Sequence, residues 1–178
     1  MWNTRGLKGS TFEELINMTN EMYRRKELAM VQKIPTPITP IQVDNKKKRI
    51  TLAFFDQKST VDYIGAVQGI PICFDAKETS LKSLPIQNVH EHQMQFMRDF
   101  EKQGGIAFLI VHFSFCREMY FLEFQQLERY WKLSRNGGRK SIPYDDFNKE
   151  LLIESKSGFF VHYLTALQVV LEKEMSLS

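Results

Sequence analysis

Apolar residues recur every three or four positions between residues 12 and 26: Phe12, Leu15, Ile16, Met22 and Tyr23, with Thr19 on the same side. That spacing predicts an amphipathic helix. Its start is marked twice, because Ser10-x-x-Glu13 and Thr11-x-x-Glu14 both fit a capping box. Pro35, Pro37 and Pro40 then exclude helix and favour extended backbone. Ile41-Gln42-Val43 and Ile50–Phe55 read as two strands joined by the polar tip Asp44–Arg49, a hairpin too long to bury itself and expected to project. Short strands are expected at Ile64–Val67 and Gly69–Ala76, about a Gln68-Gly69 turn. Asn88, followed by Glu91, predicts the start of a second helix, which Gly104-Gly105 ends. Ile106–Phe113 and Met119–Phe124 are strong β runs, and Gln125–Ser134 reads as helix. Residues 135–140 form a basic Gly-rich loop, and Tyr163–Glu174 is a closing helix through Leu164, Leu167, Val170 and Leu171. Helix, strands, helix, strands, helices is the order of an α/β fold, a mixed central sheet flanked by helices.

Composition narrows the class. The chain has 178 residues, the size of one domain, and is 43% hydrophobic and 25% charged, which is the balance of a globular protein rather than a disordered one. No apolar run approaches the ~20 residues needed to span a bilayer. The first nine residues lack an apolar signal core, so a cytoplasmic location is the expectation. Cys73 and Cys116 sit in hydrophobic runs and read as buried thiols, with neither a zinc spacing nor a disulfide framework. A net charge of +3 does not by itself argue for nucleic acid, but its distribution is uneven. Lys46-Lys47-Lys48-Arg49 is a compact basic run, Arg135, Arg139 and Lys140 surround Gly137-Gly138, and Arg24-Arg25-Lys26 is a third cluster. Phosphate binding requires several of these on one face; otherwise each is a solvated loop or helix end.

The candidate chemistry lies between residues 59 and 77. Asp75 and Lys77 close the apolar run Ile70–Phe74, and residues two apart on a strand share a face. A carboxylate there suits a hard divalent cation, and the neighbouring ammonium suits the negative charge that develops when a phosphodiester is attacked. Asp62 brings a second carboxylate, completing the D-x(n)-(D/E)-x-K arrangement of metal-dependent nucleases. Taken alone the pattern is weak, since Asp-x-Lys on an exposed strand is more often a solvated charge pair. Gln93 adds to it: it lies four after Val89 and three before Phe96, on the apolar face of its helix, where an amide must find partners or cost ~1–3 kcal/mol. It either satisfies a backbone group or faces the Asp62, Asp75 and Lys77 site. His90 and His92 point to different helix faces, His112 and His162 stand alone, and neither a Ser/His/Asp set nor a Gly-rich phosphate loop is present.

The whole pattern resembles the RecU family of bacterial Holliday-junction resolvases. The residues that carry the likeness include Asn17-x-Thr19-Asn20-x-x-Tyr23, Lys33-Ile34-Pro35-Thr36-Pro37, Ser59-Thr60-x-Asp62-Tyr63-x-Gly65, Phe74–Thr79, Pro85–Asn88-x-His90–Gln93 and Gly138–Ile142. The resemblance implies a restriction-endonuclease-like nuclease fold, one domain over residues 1–178, with a stalk inserted at about 35–56. It implies a homodimer that cuts four-way junction DNA by paired symmetric nicks in recombination and repair, with Mg²⁺ as cofactor and Mn²⁺ able to substitute, a recombinase as a further partner, and no membrane. Carried over to matching positions, Thr60, Asp62, Asp75 and Gln93 would hold the metal and Lys77 would stabilise the transition state. Phosphate contacts are expected from Lys46, Lys47, Lys48, Arg49, Lys58, Arg135, Arg139 and Lys140. The family commonly carries Glu where this chain has Asp75, one methylene shorter. That departure favours an alternative, a junction-binding recombination mediator with weak or lost nuclease activity.

Overall fold

The computed structural model describes residues 11–35, 37–55 and 60–177. The first helix, α1 (Phe12–Arg25), begins at Thr11, the second of the two predicted boxes: Glu14 N–H donates to Thr11 Oγ1 at 3.3 Å and Thr11 N–H to Glu14 Oε2 at 2.6 Å. It buries Leu15, Ile16, Thr19, Asn20 and Tyr23, one side of a 3.6-residue repeat. The chain continues through β1 (Met30–Lys33), β2 (Ile38–Asp44), β3 (Arg49–Phe55), β4 (Tyr63–Val67), β5 (Ile70–Thr79) and β6 (Ser83–Pro85). Next come α2 (Glu91–Lys102), β7 (Ile106–Phe113), β8 (Glu118–Glu123), α3 (Phe124–Arg135), β9 (Ser141–Pro143), β10 (Leu152–Ile153) and α4 (Tyr163–Leu177).

Six strands form the central sheet in the order β1-β4-β5-β7-β8-β10. Only β5 and β7 run parallel, and α2 lies in the crossover between them; every other pair is antiparallel, so the sheet is mixed as expected. Strand alternation divides the core in two. Ile72, Phe74, Phe108 and Ile110 face α1 and α4 on one side, while Cys73, Ala107, Leu109 and Val111 face α2 and α3 on the other. Asp75 and Lys77 continue the second series, which aims both toward α2.

Several elements differ from the sequence reading. β5 extends past Ala76 to Thr79, because it pairs with β7 as far as Phe113, so Asp75 and Lys77 sit within the strand. Asn88 does not start α2: Ile86–Asn88 closes a separate 3-10 turn, with Val89 N–H bonded to Ile86 O at 3.0 Å. The N-cap is His90, and Gln93 at N3 accepts its backbone N–H at 3.0 Å. β1, β10 and the β6–β9 pair are absent from the sequence reading, because strands of two to four residues carry too little alternation to register. Cys73 is buried, whereas Cys116 lies half-exposed in the turn between β7 and β8. His112 and His162 are not isolated: Nδ1 of His112 meets Glu78 Oε2 at 2.9 Å, and Nδ1 of His162 meets the Tyr23 hydroxyl at 2.8 Å.

The β2–β3 hairpin makes its own two-stranded sheet, apart from the central one. Ile41, Val43, Ile50, Leu52 and Phe54 are all exposed, and no described residue of either strand belongs to the two cores. At its tip Asp44 Oδ1 accepts the backbone N–H of Lys46 at 3.0 Å and of Lys47 at 3.1 Å, which closes the turn and leaves four basic side chains in solvent.

β1 reaches the site because Gly65 has no side chain. A Cβ at Gly65 would lie 2.2 Å from Met30 O and 2.6 Å from Val31 Cα, in the backbone of the neighbouring strand. Past β1, Ile34 N–H donates to Asp62 O at 2.8 Å, so strand spacing here also holds the Asp62 loop. Gly65→Ala is expected to destabilise the fold by about 1–3 kcal/mol, the usual cost of overpacking a rigid contact. A thermal melt unchanged from the original protein would contradict this reading of the β1–β4 contact.

Candidate active site

The pairing of β4 with β5 stops at Tyr63 opposite Phe74. One residue earlier, Asp62 has left the ladder, and its side chain takes the place of the missing strand partner: Oδ2 accepts the Ala76 N–H at 3.0 Å. Asp75 replies from β5, its Oδ1 accepting the Asp62 N–H at 2.8 Å. This exchange brings two carboxylates from different strands together at the point where the sheet opens. Asp75 is fully buried and Asp62 partly so.

Lys77, two residues along β5, places Nζ 2.5 Å from Asp75 Oδ2. The predicted shared face therefore exists, and the pair is not the solvated one that Asp-x-Lys more often signals. Gln93 enters from the first turn of α2. Its Nε2 donates to Asp75 Oδ2 at 2.7 Å, and its Oε1 accepts from His90 N–H at 3.0 Å and from Lys77 Nζ at 3.4 Å. Because a backbone N–H only donates, the His90 bond sets which way the amide points. One side chain thus satisfies a helix start and contacts both Asp75 and Lys77.

Burial, and after it the negative charge of Asp75, push the Asp62 carboxyl up to about 6. A hard divalent cation fits this donor set: two adjoining carboxylates, one of them buried, with the Thr60 hydroxyl on the adjoining segment. Among the described residues no group of three or more His, Cys, Asp or Glu that could hold a metal ion is assembled.

The remaining predicted residues fall into two groups. Thr60 is exposed beside Asp62. Arg135 at the end of α3 stacks on Trp131 at 4.8 Å and pairs with Glu91 at 3.3 Å. The β6–β9 pair continues into the bond from Ile86 N–H to Lys140 O at 2.9 Å. Together these contacts draw the Arg135–Lys140 loop to the N-terminus of α2, where Arg135, Lys140, His90 and Glu91 line one groove next to Gln93. Arg139 is exposed on the same loop. The second group, Lys46, Lys47, Lys48 and Arg49, is exposed at the tip of the β2–β3 hairpin, and Lys58 lies outside the described residues. His90 reads from the sequence as a surface, capping or DNA-side polar group; its place as the N-cap that fixes Gln93 is visible there only as a Gln three residues on.

The family model described as "Recombination protein U" matches residues 7–169. The chain is 44% identical over 142 residues to Holliday junction resolvase RecU of Geobacillus sp. (strain WCH70), covering 78% of this chain and 71% of that one. It is 38% identical over 172 residues to Holliday junction resolvase RecU of Pediococcus pentosaceus, covering 94% and 86%. It is 41% identical over 164 residues to the protein of that name from Oceanobacillus iheyensis, covering 89% and 84%. A distant structural likeness, with TM-score 0.40 and 12% identity over 67% of this chain and 75% of the other, is to Hjc of Archaeoglobus fulgidus, described as a Holliday junction resolvase. The matches with named relatives define the class, an endonuclease of mixed α/β architecture. The chain belongs to the RecU family.

Proposed function

We propose that this protein is a Mg²⁺-dependent, structure-selective endonuclease of the cytoplasm that resolves Holliday junctions, acting as a homodimer that makes paired symmetric nicks. The observation that carries the reading is the joining of Asp62, Asp75, Lys77 and Gln93 where β4 and β5 part, in a chain whose relatives are named for this activity. Thr60, Asp62 and Asp75 would hold the cation, with Gln93 belonging to the set through its grip on Asp75. When bound, the cation supplies Lewis acidity that polarises a phosphodiester and acidifies a water. Lys77, kept beside the reacting centre by Asp75 and Gln93, opposes the negative charge that builds on the phosphoryl oxygens. The basic residues of the Arg135–Lys140 loop and of the hairpin, acting as the stalk, hold backbone phosphates, and phosphate contacts position a duplex without reading its sequence.

Cleavage of a synthetic four-way junction, against linear duplex of the same sequences and with Mg²⁺ or Mn²⁺, tests the proposal. Symmetric nicks on the junction alone are expected. Junction binding without cleavage under either metal would instead indicate a mediator that has lost its nuclease.

Lys77→Ala separates the two tasks of that residue. Its partner charge in the reaction exists mainly in the transition state, so single-turnover cleavage is expected to fall on the order of 10²–10³-fold while junction affinity holds. The substitution also leaves buried Asp75 without its ammonium partner. The metal-free variant should therefore melt well below the original protein, and Mg²⁺ should narrow that gap. Equal losses of cleavage and binding would remove the transition-state assignment.

A further inference from the structure

We propose that the groove between α1 and β1 seats the sugar-phosphate backbone of the DNA strand next to the point of cleavage, an inference that rests on the nuclease reading above. Asn17, Asn20, Glu21 and Arg24 of α1 line it on one side, and Gln32 and Lys33 of β1 on the other. Of the cluster Arg24-Arg25-Lys26, unused by the site described so far, Arg24 lines this groove.

The groove is built to meet an acceptor. Asn20 is only 5% exposed, and its Oδ1 accepts the Tyr163 hydroxyl at 2.6 Å from the core side. Its Nδ2 is buried and has no hydrogen-bond partner, an unmet donor beneath the groove wall. Asn17 repeats the pattern, with Oδ1 accepting the Tyr63 hydroxyl at 3.0 Å. Two tyrosines therefore hold the oxygen ends of two amides and turn the nitrogen ends away from themselves. The cations Arg24 and Lys33 flank these donors. The one lining carboxylate, Glu21, is already taken up by Arg24 and Arg25, each at 3.1 Å. Glu21 thus meets two cations, Arg24 and Arg25, and leaves a net positive charge beside the amide donors, which fits an anionic oxygen ligand. An extended peptide laid along β1 would need acceptors for its own N–H groups, and the groove side chains offer it few.

Position identifies the anion. Tyr63 directly follows Asp62, and its hydroxyl reaches both Asn17 and, at 3.4 Å, the Glu13 carbonyl. Lys33 precedes Ile34, whose N–H holds the Asp62 carbonyl at 2.8 Å, and Lys33 itself pairs with Glu13. The Lys33 end of the groove is therefore tied to the backbone of Asp62, and a DNA strand cut at the carboxylate pair would continue along it. Side-chain amides, Lys and Arg are common phosphate contacts in protein–DNA complexes.

The test is junction binding by the full chain without divalent metal, measured by fluorescence anisotropy between 50 and 200 mM salt. Arg24→Gln and Lys33→Gln are each expected to reduce the log–log salt slope by about 0.9, so that the affinity lost over that range shrinks about three- to fourfold. Asn20→Asp keeps the acceptor for Tyr163, removes the donor and adds a negative charge; it is expected to weaken binding by roughly tenfold or more at low salt. Arg24 is 62% exposed, so Arg24→Gln keeps the test valid even where Asn20→Asp folds poorly. Original slope and affinity in Arg24→Gln and Lys33→Gln overturn the groove assignment while leaving the nuclease reading intact, provided the unsubstituted protein cuts junctions. A variant that alters sedimentation without altering DNA affinity overturns it too, and makes this face a protein contact. An unsubstituted protein that neither binds nor cuts DNA removes the parent reading and the groove with it.

Discussion

Asp75→Asn is expected to lower junction cleavage on the order of 10³-fold or more, while junction affinity changes little. The reasoning is local. Asp75 is fully buried, one oxygen accepts the Asp62 N–H at 2.8 Å, and the other meets Lys77 and Gln93. Asn keeps the shape and removes the charge that a divalent cation requires, and loss of such charge stabilisation amounts to several kcal/mol of barrier, with about 1.4 kcal/mol per factor of ten. Phosphate contacts made elsewhere are untouched, so binding survives. Asp62→Asn should act in the same direction. Single-turnover cleavage alongside a gel-shift assay in Ca²⁺ makes the comparison; full cleavage by either variant would remove this site from consideration. A pH signature accompanies it. The Asp62 carboxyl lies at about 6, above its ordinary value of 3.8, so its neutral form is the one favoured by folding. Its contribution to stability is present below the ordinary value and is lost as pH rises through about 6. A cation replaces the proton, so the melting-temperature gain from Mg²⁺ should grow across the same interval and be absent in Asp62→Asn.

Removing the hairpin should erase the preference for a junction over linear duplex while the protein still folds. Pro40 lies opposite Ala53, so residues 41–53 leave and return at one place, and an Asn-Gly turn can close the gap. The fold loses little, because the removed strands contribute to neither core and expose Ile41, Val43, Ile50 and Leu52. Recognition loses much: the removed tip carries Lys46, Lys47, Lys48 and Arg49, and a four-way junction offers an open centre that linear duplex lacks. A two-fold dimer would present two such tips to a two-fold substrate. Neutralising the four basic residues should flatten the salt dependence by about 0.9 for each phosphate left without its cation. If the shortened protein selects junctions by the same factor, recognition resides on the body rather than the hairpin.

Local signals in the chain determined more of this protein than its modest net charge indicates. The period of Leu15, Ile16, Thr19 and Tyr23 and the Thr11–Glu14 box define α1, because helix faces and caps depend on neighbours three or four residues apart. Asp75 and Lys77 share a face because strand geometry places i and i+2 together, and Gln93 points inward because helix geometry does the same over four residues. Contacts distant in sequence needed the tertiary structure. Nothing in Met30–Lys33 announces a strand; it forms because Gly65 lets a neighbouring backbone approach. Asp62 meets Asp75 because the β4–β5 ladder ends one residue earlier, exposing an N–H for each carboxylate to accept. The three-residue β6 and β9 are too short for periodicity to register, yet their pairing brings the Arg135–Lys140 loop to α2. Asn20 could not be recognised as an unpartnered donor until Tyr163, far along the chain, had taken its oxygen. Side-chain direction follows from backbone geometry within an element, but desolvation and the supply of partners are set by whatever the fold packs alongside.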